Sequence, residues 1–328
     1  MASTQLKLKH FLCEQDWTNE ELETVMDLAA ELKRQVGLEI PHEICKNKTL
    51  FMLFFEESTR TRNAFECGIT QLGGHANYLT PKATQIDHGE GPKDTVEVLS
   101  RYGHAIGIGN TLVGGYKYMK AMVQHAKIPV YNMQCDIYHP TQSLADLFTI
   151  REKFGKDLRG RKFVISWTYG PGYIRPLSMA QSLVTLMPRF GMDVTLAHPP
   201  EFTLMPEIMK QAEENARDAG VKFEVVHNME EACKDADIIY AKSWGPIMHT
   251  EDEKEGLAII DRYKDKGWVC DMKKFEVAKP KAIYMHCMPA DRGIEVTDEV
   301  IDGPMSVIYD EAENRLHEQK ALMALTMR

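Results

Sequence analysis

The sequence predicts an α/β protein of two domains, each a doubly wound, open parallel sheet. Three observations predict it. Short apolar runs alternate with helical patterns in both halves of the chain. A charged, glycine-bearing break, Phe154-Gly155-Lys156-Asp157-Leu158-Arg159-Gly160-Arg161, divides the halves. The length of 328 residues suits two cores better than one, at ~150 residues per domain.

The elements follow in order. Asp16-Trp17-Thr18 ahead of Asn19-Glu20-Glu21-Leu22 reads as a helix start, and Leu22, Val25, Met26, Leu28, Ala29 and Leu32 then recur at helical spacing. Thr49–Phe55 is a short apolar run with polar flanks, the pattern of a strand buried on both faces. A helix is expected from about Arg60 to Leu72, stopped by Gly73-Gly74. Ala105–Ile108 and Pro129–Met133 read as strands and Leu144–Phe154 as a helix. Beyond the break, strands are expected at Lys162–Trp167, Asp193–Ala197, Lys222–Val226, Asp237–Tyr240 and Ala282–Met285. The helices between them are Leu177–Phe190, Met205–Asp218 and Met229–Lys234. Glu311–Met327 is a helical pattern with no strand after it.

Composition excludes several classes. Lysine plus arginine total 39 against 48 aspartate plus glutamate, a formal charge of −9. Nucleic acid or an anionic membrane would need a net basic surface, so neither is expected as a partner. A small local anion site is still allowed. The seven cysteines are scattered, with no CxxC pair, which suits reduced thiols in a cytoplasm better than disulfides or structural zinc. No run approaches ~20 apolar residues, so no membrane span is expected, and MASTQLKLKHFL lacks the apolar core of a signal peptide. The absence of GxGxxG, GxxxxGK[ST] and HExxH weakens dinucleotide, nucleoside-triphosphate and metal readings.

Three clusters carry chemistry. Ser58-Thr59-Arg60-Thr61-Arg62 lies between a buried strand and a helix. There the first-turn N–H groups, the hydroxyls and a guanidinium fork suit a phosphate, although a plain Ser/Thr cap with solvated arginines is the simpler alternative. His139-Pro140-Thr141-Gln142 precedes a helix at the same sheet edge, where the histidine is either structural or a donor to a developing oxyanion. His286-Cys287-Met288-Pro289 follows a strand in the second half. Nothing marks a general base for Cys287, so a pocket-shaping thiol is expected before a nucleophile.

Together with Asp310-Glu311-Ala312-Glu313-Asn314-Arg315, these motifs occur in an order and spacing that resemble the aspartate/ornithine carbamoyltransferase superfamily over nearly the whole chain. The resemblance implies a carbamoyl-phosphate domain (1–154 plus 312–328) and an amino-substrate domain (155–311) with a trefoil knot near Gly170–Pro176. It implies a homotrimer with active sites shared between subunits, and a reaction needing no cofactor and no metal; the cytoplasmic location is expected from the cysteines. Carbamoyl phosphate would be held by Ser58, Thr59, Arg60 and Thr61. His139 and Thr61 would polarise its carbonyl, Gln142 would hold its amide, and Arg315 would complete the site. Gln85 would be lent to the neighbouring subunit. Lys242, Ser243, Trp244, Cys287, Met288 and Glu295 would face the small amine substrate, with Cys287 also counted in the catalytic set.

The acylornithine-type enzymes are similar at Trp167–Ser178 and Tyr240–Gly245; transcarbamylases of unsettled substrate are similar at Gln134–Gln142 and Arg189–Pro199. The Ser-Met-Gly loop of ornithine enzymes is missing, and Glu295 stands where the acetylornithine group has a lysine. Gly109 occupies the place of an arginine that relatives use for phosphate and carbonyl oxygen. Losing such a charge-assisted contact costs ~1.5–3 kcal/mol, which Lys117, Arg101 or Lys93 would have to offset. Gly109 therefore motivates the alternative of a catalytically altered or non-catalytic homologue that binds or regulates.

Overall fold

A computed structural model describes residues 6–327. The chain divides into a first unit, up to Phe148 together with the residues from Ala312 onward, and a second, Thr149–Glu311. Each unit is an all-parallel α/β sheet.

The first unit contains α1 (Asn19–Gly37), β1 (Thr49–Phe54), α2 (Arg60–Gln71), β2 (His75–Leu79), α3 (Pro92–Tyr102), β3 (Ala105–Asn110), α4 (Gly115–Val123), β4 (Val130–Cys135) and the start of α5 (Pro140–Phe154). Its strand order is β2-β1-β3-β4. Helix α1 starts at a reciprocal capping box: the Glu21 N–H donates to Thr18 Oγ1 at 3.2 Å, and the Thr18 N–H donates to Glu21 Oε2 at 2.8 Å. Its apolar stripe, Leu22, Val25, Met26, Ala29 and Leu32, is buried. Residues 50–54 of β1 are all buried, as a central parallel strand covered on both faces requires.

The second unit contains β5 (Lys162–Trp167), α6 (Ser178–Leu186), β6 (Asp193–Ala197), α7 (Pro206–Ala219), β7 (Phe223–Val226), α8 (Met229–Cys233), β8 (Ile238–Lys242), α9 (Glu253–Asp261), α10 (Met272–Glu276), β9 (Ile283–Met285) and α11 (Asp298–Ile301). The order is β7-β6-β5-β8-β9. Helix α12 (Ile308–Thr326) begins here, and its greater part returns to the first unit. There Gly68 of α2 admits close packing: a Cβ on it would lie 3.2 Å from Lys320 Cγ and Met323 Cε.

Helices α3, α4, α9, α10 and α11 were not expected, and three further details differ from expectation. Strand β2 was not expected; it is a half-exposed edge strand after Gly73-Gly74. Strand β3 runs on past Ile108 to Asn110, which puts Gly109 inside the sheet, opposite Phe54 of β1. The expected helix Leu177–Phe190 is α-helical only to Leu186 and closes as a 3-10 turn, Met187–Phe190.

Candidate active site

In open α/β sheets ligands bind beyond the carboxyl ends of the strands, where strand order reverses. Each unit has one such point: between β1 and β3 in the first, between β5 and β8 in the second.

The loop leaving β1 carries Ser58 and Thr59 into α2. Thr59 occupies the cap position yet makes no side-chain capping bond, so the first-turn N–H groups are not consumed by a Ser/Thr cap. Among the described residues, the hydroxyls of Ser58 and Thr59 and the guanidinium of Arg60 take no hydrogen bond or ion pair. A plain cap would instead show a hydroxyl bonded to a first-turn N–H, whereas an unpartnered arginine fits either reading. Thr61 is buried, and the Arg315 guanidinium donates through Nη2 to its Oγ1. The first and fourth motifs, far apart in sequence, thus meet at one helix end. This cluster can hold a dianion on N–H groups, hydroxyls and cations together.

His139 stands at the head of α5 beyond β4, with its carbonyl accepting from the Gln142 and Ser143 N–H groups at 3.1 Å. Gln142 is fixed by its Nε2, which donates to Asp146 Oδ1 at 2.7 Å. Gln85 is exposed on the 3-10 turn Gln85–His88 and has no bond to the other predicted residues.

Gly109 has no room for a side chain. A Cβ there would meet the Phe54 ring at 2.6 and 2.8 Å. Phe54 in turn stacks on Tyr78 (5.8 Å between centroids), and the Arg62 guanidinium lies 3.8 Å from that ring's centre. None of the three candidate substitutes is bonded to the cradle. Arg101 ends α3, ahead of the start of β3, and pairs with Glu97 at 2.8 Å. Lys93 and Lys117 are exposed in the first turns of α3 and α4.

At the second unit's switch point, Lys242 ends β8, half-buried, and Cys287 and Met288 are half-buried beyond β9. Met288 has a positive φ of 53°. Two expectations need correction. Trp244 is a core residue: its indole N–H donates to the Phe202 carbonyl at 2.9 Å, and its own carbonyl accepts from Trp167 Nε1 at 2.8 Å. Glu295 is fully buried and is not presented to a substrate. Its carboxylate accepts from the Ser243 N–H at 2.7 Å, the Ser243 hydroxyl at 2.6 Å and the Asp291 N–H at 2.8 Å. Burial alone would raise its pKa, but His286, Lys242 and Ser243 outweigh that and hold it well below the usual carboxylate range. Ser243 is correspondingly committed to this network; its hydroxyl also accepts from Arg175.

Sequence reasoning passed over Arg175 and Asp291, which form an ion pair at this edge. The available signal was a lone arginine in an otherwise uncharged loop, Tyr169–Pro176, directly after a strand.

An uncapped helix start beside Arg60 and Arg315 on one sheet, and a polar loop edge on the second sheet, are compatible with a two-substrate transferase. Comparison with known proteins specifies the class. Residues 9–152 match the carbamoyl-phosphate-binding domain of aspartate/ornithine carbamoyltransferase, and residues 176–326 match its Asp/Orn-binding domain. Ornithine carbamoyltransferase of Thermococcus kodakarensis is 41% identical over 316 residues, 96% of this chain and 95% of that one. YgeW of Escherichia coli K12 is 36% identical over 346 aligned residues, covering 94% and 87% of the two chains. Acetylornithine transcarbamylase in complex with acetylcitrulline superposes with a TM-score of 0.90 at 35% identity, covering 98% of this chain and 100% of that one. The chain belongs to the aspartate/ornithine carbamoyltransferase family.

Proposed function

We propose that the protein transfers the carbamoyl group of carbamoyl phosphate to the amine of a small amino-acid-like or ureido-type substrate, releasing phosphate. The observation that carries this reading is the uncapped start of α2 with Arg60 unpaired and Arg315 bonded to Thr61. Ser58, Thr59, Arg60 and the α2 N–H groups hold the phosphate. Gln142 holds the carbamoyl amide. The amine attacks the carbamoyl carbon, and the carbonyl oxygen takes up the displaced electron pair. Thr61, His139 and Arg315 stabilise that oxyanion. The C–O bond to phosphate then breaks, and the amine's surplus proton leaves with the phosphate. Most of the rate gain comes from holding two reactants in register.

Lys242, Cys287 and Met288 serve the amine side of this reading. Gln85 acts in a neighbouring subunit of a homotrimer, which light scattering of the purified protein tests. A cytoplasmic location fits the seven free cysteines. Among the described residues no helix is long and apolar enough to cross a membrane.

The deciding assay follows phosphate release from carbamoyl phosphate across a panel of amines. Release that depends on one amine class is expected. No amine-dependent release across a broad panel would overturn the reading and favour the binding-protein alternative that Gly109 raises.

A further inference from the structure

We infer that Glu295 is a positioning residue that registers the three loops of the second unit's substrate edge on a single buried carboxylate. The inference deepens the carbamoyl-transfer reading and rests on it for its kinetic arm.

The donors around Glu295 come from three separate loops. The loop after β8 contributes both the N–H and the hydroxyl of Ser243, at 2.7 and 2.6 Å. The loop after β9 contributes the Asp291 N–H at 2.8 Å and His286 Nε2 at 3.6 Å. The loop after β5 contributes Arg175 Nη1 at 3.6 Å and Thr168 Oγ1 at 3.5 Å. Arg175 also reaches Ser243 Oγ and Asp291, so the same three loops are tied a second time nearer the surface.

A second link runs from Glu295 to the Cys287–Met288 backbone. His286 Nδ1 accepts the Met288 N–H at 2.8 Å, so the neutral ring carries its proton on Nε2, the nitrogen facing Glu295. That bond holds Met288 in its left-handed conformation, φ 53°. The His286 ring stacks on Tyr240 and on Tyr284, and the backbone N–H of His286 donates to Glu311 Oε2 at 2.9 Å. Turning the ring would break its Nδ1 bond to Met288.

A buried ion pair is weak evidence for stability, because desolvation offsets most of the attraction. What singles out Glu295 is that two of its three short bonds are backbone N–H groups of loops at the sheet's carboxyl edge, the one after β8 lying at the switch point. A carboxylate so placed fixes backbone positions, and therefore the frame in which Lys242, Cys287 and Met288 meet the amine.

Glu295→Gln and Glu295→Asp test this. Glu295→Gln presents an amide NH2 where N–H donors converge. It is expected to raise the amine KM at least tenfold while leaving the thermal protection by carbamoyl phosphate alone unchanged. Hydrogen exchange is expected to rise in the segments around 243–245 and 286–291 and not elsewhere. Glu295→Asp, which keeps the charge, is expected to recover part of the loss. Two results would overturn the inference: uniformly faster exchange with amine KM and kcat per folded molecule unchanged, or altered kinetics with loop exchange unchanged. Should Glu295→Gln not fold, Ser243→Ala removes one donor only; it is expected to show the same pattern more weakly, and no change in loop exchange or amine KM would count against the inference. If the wild-type protein carbamoylates no amine, the transfer reading falls, and the exchange measurements still judge Glu295 on their own.

Discussion

Arg60 carries a guanidinium with no partner among the described residues, at a helix start that is itself uncapped. Arg60→Ala therefore removes ligand contacts and little else. Carbamoyl phosphate should no longer raise the melting temperature, while the unliganded protein's stability changes by less than about 0.5 kcal/mol. Differential scanning fluorimetry with and without carbamoyl phosphate reads both. Gly109 works the other way. Restoring the arginine of relatives as Gly109→Arg forces a Cβ to within 2.6 Å of Phe54. A loss of about 1–3 kcal/mol in urea unfolding is expected, and no gain in carbamoyl-phosphate affinity. Residue chemistry was readable from the chain because Ser, Thr, Arg and His declare their hydrogen-bonding capacity. Orientation was not. Nothing along the chain distinguishes Lys242, at the edge, from Trp244, whose indole turns into the core two positions later.

At the scale of elements, periodicity carried most of the reading. Strand β1 is apolar throughout after Thr49, β5 is apolar after Lys162 except at Ser166, and α1 has both its stripe and its capping box. Replacing the cap, Thr18→Ala, should cost about 1 kcal/mol of stability, measured by chemical denaturation. Strand β2 was illegible because its sequence, His75-Ala76-Asn77-Tyr78-Leu79, lacks an apolar run; pairing with β1 makes it a strand. Helix α12 was legible in outline but not in its buried charges. Lys320 is buried against α2, donating to Gln71 Oε1 at 2.8 Å, and burial pushes its ammonium down to about 8. The unfolded chain then binds more protons than the folded one between about pH 8 and the ordinary lysine value of 10.5. Stability should therefore rise with pH across that window through this group. Lys320→Met should flatten the rise, as melting curves from pH 7.5 to 10.5 would show.

For the molecule as a whole, the two sheets have separate switch points, and the proposed donor residues Ser58–Thr61, His139, Gln142 and Arg315 all belong to the first unit. Carbamoyl phosphate alone should slow hydrogen exchange around 58–66 and 139–146. Protection around 242–245 and 286–291 should require the amine as well. Protection of the second set by carbamoyl phosphate alone would contradict this division of labour. The alternation of strand and helix made both sheets expected from the chain. The identity of the amine was not legible, because the groups that frame it come from loops whose mutual placement depends on bonds such as those of Glu295.

The return of α12 to the first unit has a consequence for biosynthesis. Thr61 meets its partner only after the second unit has been made, since Arg315 lies beyond it. The two residues are 254 positions apart, which at the pace of translation is on the order of ten to fifty seconds. A nascent chain therefore cannot form the Arg315–Thr61 bond early, and a prematurely terminated one lacks that guanidinium. If the proposed cradle needs it, ligand capture becomes a property of finished molecules.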